Sequence, residues 1–154
     1  MNEVQKEYLA KYLDSLNSDL KSLSRNVFVD YFCADEENAN ICAALILNGE
    51  KTATCSMKYW YESGIEPMPQ VGDLQIVTDW GGNPTSIIQL TDVSECKYCD
   101  VTAEFAALEG EGDKSLEWWR RTHWDFFASE CSEQGINPSN EMVLVLEKFK
   151  LVYS

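Results

Sequence analysis

The chain has 154 residues, 45% hydrophobic and 12% aromatic, which suits one folded unit and excludes a disordered chain or two full domains. Its 12 basic side chains face 26 acidic ones, a formal charge of −14, which opposes a protein that grips DNA or long RNA through phosphates. Residues 4–23 interleave apolar side chains with Lys6, Lys11, Asp14 and Asp19, unlike a secretory signal, and no apolar run reaches the roughly 18–20 residues of a membrane span. The composition therefore leads us to expect a cytoplasmic protein without a membrane partner.

In chain order, Tyr8, Leu9, Tyr12, Leu13, Leu16, Leu20 and Leu23 recur every three or four positions, predicting an amphipathic helix over 4–23. Residues 26–34 read as extended and half-buried. A second helix is expected from Asp35 or Glu36, where acids favour a first turn, turning Ile41, Cys42, Leu45 and Ile46 inward and stopping at Gly49. Val71-Gly72-Asp73 predicts a turn into a strand over 74–78, and Trp80-Gly81-Gly82-Asn83-Pro84 a turn into a strand over 86–93. A short helix over 103–108 and a longer one over 115–131 follow, with Asp113 or Ser115 as the cap of the latter. After the loop at Gly135-Ile136-Asn137-Pro138, residues 142–153 form a closing strand. Short strands mixed irregularly with helices predict a small α+β barrel, with the helix of residues 1–25 preceding a domain over 26–154.

The six cysteines are scattered, and reduced thiols are the expectation. Cys96-x-x-Cys99 lacks the second pair or histidines that a structural zinc would want, His123 being the sole histidine, so no metal or organic cofactor is expected.

Three segments carry candidate chemistry. In Gly49-Glu50-Lys51-Thr52-Ala53-Thr54, a lysine stripped of its charge by burial is a base and a hydroxyl beside it a nucleophile. Lys51 and Thr54 would point to opposite faces of a regular strand, so their cooperation requires an irregular chain there, either a turn after Gly49 or a bulged strand entry. Alternatively, Lys51 is a surface lysine at a helix end. The loop Glu109-Gly110-Glu111-Gly112-Asp113 fits no calcium-loop spacing and is better suited to turning one carboxylate into a cleft and capping the next helix with another. On that helix Leu116, Trp119, Arg120, His123, Phe126 and Phe127 form one stripe, within which an arginine and a histidine need polar partners. Trp60, Tyr61, Trp80 and Trp119 offer stacking faces for a flat base.

Taken together, residues 44–54, Pro69-Gln70-Val71-Gly72-Asp73, residues 103–113 and the stripe from Ser115 to Phe127 resemble the ASCH family, the activating-signal-cointegrator homology domains, over about 35–153. The resemblance implies a PUA-like β-barrel of five or six strands with helices around a cleft, here with an extra N-terminal helix. It further implies action on RNA or its derivatives. Small members hydrolyse the acetyl amide of N(4)-acetylcytidine with a lysine, a threonine and a glutamate, and other members have been assigned ribonuclease activity. Carried over by motif, the lysine and threonine are Lys51 and Thr54, and the glutamate is Glu109, with Glu104 and Glu111 as alternatives. Those small members resemble Lys-x-x-Thr-x-Arg, whereas Ser56 stands here at the last position, which makes Arg120 the candidate replacement. The expected mechanism has a neutral Lys51 deprotonating Thr54 for attack on an acyl carbon. Ser56, Trp60, Trp80, Trp119, Arg120 and His123 would line the substrate site. A metal-independent ribonuclease using the same cleft and a non-catalytic nucleotide- or RNA-binding module are the alternatives, and the N-terminal helix is the candidate surface for a homodimer.

Overall fold

The computed structural model describes residues 1–17 and 25–154. Alternation along the strands sets its layers. Leu74 and Ile76 of strand β3 (Leu74–Thr78) pack with Ile87 of β4 (Pro84–Lys97) beneath Leu9, Tyr12 and Leu13 of helix α1 (Glu3–Ser15). Val77 and Ile88, from the opposite pleats, pack with Phe149 of β5 (Val143–Tyr153) against Ala43 and Ile46 of α2 (Glu36–Leu47). A third cluster joins Ala53 and Met57 of β2 (Ala53–Met57) to Phe105 of α4 (Ala103–Glu109) and to Trp119 and Phe127 of α5 (Leu116–Gln134).

The five strands run in the order β1-β3-β4-β5-β2, with β1 (Val27–Asp30) parallel to β3 and the remaining pairs antiparallel. A register break between Leu90 and Asp92 divides β4, whose first half pairs with both neighbours and whose second half pairs with β5 alone. The architecture is the expected α+β class, but the expected barrel is not closed: the ladder ends at β1 and β2 without a seam between them, among the described residues. A helical turn, α3 (Tyr59–Glu62), follows β2, and a 3-10 turn, Tyr98–Asp100, follows β4.

Sequence expectation and structure differ at two helices. Helix α1 starts with a capping box from Asn2 and Gln5 but ends at Ser15, capped by Leu16, with Asn17 at a φ of 53°. The predicted continuation through Leu20 and Leu23 lies outside the described residues. The buried stripe of α1 is already covered by its own sheet, so that stripe is not a free dimer face. In α2, which starts at Glu36 as expected and is capped by Asp35, Ile41 is 47% exposed, against expectation, while Ala39, Cys42, Ala43 and Ile46 are buried. Close approach to the sheet favours the small alanines on that face. No described helix is long and apolar enough to cross a membrane.

Candidate functional site

Lys51 sits between α2 and β2, outside regular structure. The amides of Glu50 and Lys51 both donate to the Leu45 carbonyl behind Gly49, at a φ of 74°, and the Thr52 amide donates to Leu108 at the end of α4. This is the turn that the spacing of Lys51 and Thr54 requires. It directs Lys51 inward, leaving it 2% exposed, while Thr54, second in β2 after Ala53, pairs with Glu147 of β5.

The acidic loop meets Lys51 from the other side. Gly110 and Gly112 have φ of 72° and 59°; a Cβ would lie 2.3 Å from the Glu50 carbonyl oxygen at Gly110 and 2.1 Å from the Trp118 ring at Gly112. Two left-handed glycines pressed against these neighbours explain the Glu-Gly-Glu-Gly spacing, because both glutamates turn toward one ammonium. Lys51 Nζ donates to the Ala53 carbonyl at 2.9 Å and lies 3.4 Å from Glu109 Oε1 and 3.5 Å from Glu111 Oε2. The Phe32 ring lies 5.5 Å from the same nitrogen.

Glu109, 1% exposed, also accepts from Trp119 Nε1 and from Cys55 Sγ. His123 Nε2 lies 3.1 Å from Glu109 Oε2, while His123 Nδ1 donates to the Trp119 carbonyl at 2.9 Å. Both imidazole nitrogens thus face acceptors, which favours the doubly protonated ring. Burial alone would raise the Glu109 carboxyl, but Lys51, His123 and Trp119 outweigh it and bring it down to about 2. Burial likewise pulls Lys51 and His123 down, and Glu109 reverses both, holding each above its ordinary value; Glu111 adds to the effect. The neutral lysine of the sequence reading is therefore corrected: in this resting arrangement Lys51 is an ammonium. Thr54 is not among its hydrogen-bond partners.

These groups open on a cavity of about 490 Å3 that draws lining residues from both edge strands, so it occupies the gap where a closed barrel would have its last seam. Lys51, Thr54, Glu109, Ser56, Trp60 and His123 all line it. Ser56 shares a 2.6 Å hydroxyl hydrogen bond with Tyr61. Three residues proposed for the site lie elsewhere. Trp119 is 1% exposed beneath it, stacked on His123 at 4.2 Å and holding Glu109. Arg120 is exposed and borders a separate shallow hollow with Tyr98, Arg121 and Trp124, so it does not stand in for the missing arginine. Trp80 lies on the β3–β4 turn, 4.8 Å from the Tyr31 ring at the rim. Of the alternative acids, Glu111 joins Glu109 at Lys51, whereas Glu104 is exposed on the first turn of α4.

Sequence reasoning missed the far side of the cavity. Asp30, Asp35, Glu66, Glu130 and Glu147 line it together with Glu109 and Glu111, against Lys51 as the one lysine and no arginine among the described lining residues. Burial lifts Glu147 and Glu130 to about 7 and raises Glu66 and Asp30, with neighbouring carboxylates adding to the shift of Glu147, Glu130 and Glu66. The signal for Glu130 was present, since it continues the stripe of His123 and Phe127 by one turn.

Among the described residues two donor groups have ligand atoms within 4.8 Å of one another, Cys33 with Cys42 and Glu111, and Cys55 with Glu109 and His123. Neither includes Cys96 or Cys99. The carboxylates of both are already engaged by the Lys51 ammonium, and Glu111 also accepts from Cys42 Sγ at 3.0 Å. A metal there would have to displace or share these partners.

A family model described as the ASCH domain matches residues 28–153. The chain is similar to a solved ASCH domain from Lactobacillus crispatus JV V101, at 54% identity and a TM-score of 0.94, over 100% of this chain and 97% of that one. It is also similar to a solved protein of Enterococcus faecalis V583 from the DUF984 family model, at 28% identity and a TM-score of 0.87, covering 99% and 90% of the two chains. None of the curated proteins compared with the chain matches it.

Proposed function

The chain belongs to the ASCH domain family, and from that premise we propose that it is a hydrolase of a modified nucleoside, cleaving an amide such as that of N(4)-acetylcytidine. The observation that carries this reading is that Lys51, Thr54 and Glu109, matched by motif alone, line one cavity. Thr54 is the nucleophile. Thr54 lines the cavity, and its hydroxyl has no hydrogen-bond partner among the described residues. Thr54 Oγ bonds to the acyl carbon, the C–N bond breaks, and the proton leaving Thr54 ends on the departing amine. Water then cleaves the threonyl ester to free acid and restores the hydroxyl. Lys51 acts as a fixed cation that stabilises the oxyanion, held in place by Glu109, rather than as the base.

Purified protein should convert N(4)-acetylcytidine to cytidine, and Thr54→Ala should abolish turnover while still binding the substrate. A folded wild-type protein without turnover would contradict the amide reading.

One observation favours a second reading, a binding module without chemistry: the lysine is locked as an ammonium by two carboxylates. That reading predicts nucleoside binding unaffected by Thr54→Ala and no product. The acidity of the cavity argues against a ribonuclease, because its carboxylates would repel a phosphodiester.

A further inference from the structure

Lys51 and Glu109 hold one end of the cavity and are committed to each other, and the carboxyls beyond Thr54 are left without a role. At that other end Glu147 stands on β5 opposite Thr54, between Val145 and Phe149 on the inward face of the strand. It lines the cavity and is 9% exposed, yet its carboxyl has neither a hydrogen bond nor an ion pair among the described residues. Its oxygens open on the cavity, but a carboxyl so little hydrated and without a protein donor is disfavoured as an anion, and the surrounding groups increase that cost. The charged and titratable groups that act on it are Glu66 from the segment after α3, Asp73 at the start of β3 and Tyr61 of α3. Glu130 of α5 and Asp30 of β1 line the same cavity. No described lysine or arginine offsets them there, in contrast to the Lys51 end.

A carboxyl kept in this state is satisfied by a ligand that brings the donors. Two N–H groups side by side on one planar carbon match the two oxygens of a carboxyl in a bidentate pair. Trp60 and Phe126, which also line the cavity, favour a flat group over a round ammonium. We propose that this end is a subsite for a planar amidinium-type edge of the ligand, with Glu147 as its bidentate partner, Glu66 and Glu130 supplying the surrounding negative field, and no phosphate on the ligand. The edge belongs either to a cytosine-type base, read along its ring nitrogen and exocyclic amine, or to an alkylguanidine. With a cytosine-type base a single proton shared between the ring nitrogen and Glu147 completes the pair, whichever partner carries it. The inference rests on the reading of this cavity as the ligand site and deepens it by naming the ligand's chemistry; it does not require that Thr54 cleave anything.

The test is calorimetric titration of the full chain with cytidine, agmatine, uridine, putrescine and cytidine 5′-monophosphate, repeated with Glu147→Gln and Glu66→Gln. Cytidine or agmatine should bind, whichever is tighter identifying the source of the edge, with uridine, putrescine and the phosphorylated nucleoside weaker by roughly tenfold or more. Glu147→Gln, which keeps the side-chain volume and removes a buried charge, should lose roughly tenfold in affinity with an unchanged circular dichroism spectrum, and Glu66→Gln should lose less. Binding of neither cytidine nor agmatine would overturn the proposal. So would uridine, putrescine or the phosphorylated nucleoside binding as well as the tighter of the two, or undiminished affinity in Glu147→Gln. Cytidine binding that Glu147→Gln weakens, without turnover of N(4)-acetylcytidine, would reject amide cleavage and keep the subsite. Turnover with an unchanged KM in Glu147→Gln would do the reverse.

Discussion

Glu109 and Glu147 line the same cavity at 1% and 9% exposure, yet one is held down at about 2 and the other lifted to about 7. Burial acts in the same direction on both; partners decide the outcome. Glu109 receives an ammonium, an imidazole and an indole N–H. Glu147 receives only other acids. One end of the cavity is thus internally neutralised and preorganised, and the other is an unmet demand for donors that a ligand can supply.

The largest expected effect comes from removing the cation at the paired end. Lys51→Met strands Glu109 and Glu111, so urea denaturation near pH 7 should show a loss of about 3–5 kcal/mol. A loss below about 1 kcal/mol, the scale of an exposed pair, would mean that the pair is solvated and the contrast false. At the unpaired end the sign reverses. The folded carboxyl of Glu147 titrates above its unfolded value of 4.5, so the fold binds the extra proton and its relative stability falls as pH rises through about 7. Glu147→Gln should therefore stabilise the protein at pH 8 by up to ~3 kcal/mol and by almost nothing at pH 4, read by urea denaturation at both values. Glu109 behaves oppositely, contributing stability that is present above 4.5 and lost as pH falls toward 2.

A backbone test is smaller. Gly110→Ala puts a Cβ against the Glu50 carbonyl at a left-handed φ and should cost about 1–3 kcal/mol, displacing Glu109 and Glu111 together. The smallest effect is expected at Arg120, where Ala should change stability by less than ~0.5 kcal/mol and leave nucleoside affinity unchanged. Weakened binding in Arg120→Ala would return that residue to the site.

The paired end was largely legible in the sequence and the unpaired end was not. Lys51, Thr54 and Glu109 stand in short motifs whose glycines announce the turns, but it is the resemblance to the ASCH family that connects them; spacing alone left Lys51 equally a surface lysine. Strand β3 was read to the residue because turn chemistry bounds its start, whereas β4 was read too short: past Leu90 no residue is buried and most are exposed, without the two-residue alternation that marks a strand. Asp30, Glu66 and Glu147 come from three distant segments, each a lone acid in its own context, and only the edge-strand gap brings them together. Glu147 left one trace, an acid in phase with Val145 and Phe149 on a face that is otherwise apolar. Trp119 and Arg120 were misassigned because a helical stripe gives a direction but not a depth. Trp119 lies beneath the cavity and Arg120 beyond its edge.

The most direct test of the contrast between the two ends is a carbon-detected NMR titration of the glutamate side-chain carboxyls in the wild type and in Glu147→Gln. Two carboxyls, those of Glu147 and Glu130, are expected to titrate near 7, one of them vanishing in Glu147→Gln, while Glu109 stays ionised down to about 2. If every glutamate titrates between pH 4 and 5, or if both titrations near 7 persist in Glu147→Gln, the two ends do not differ as described.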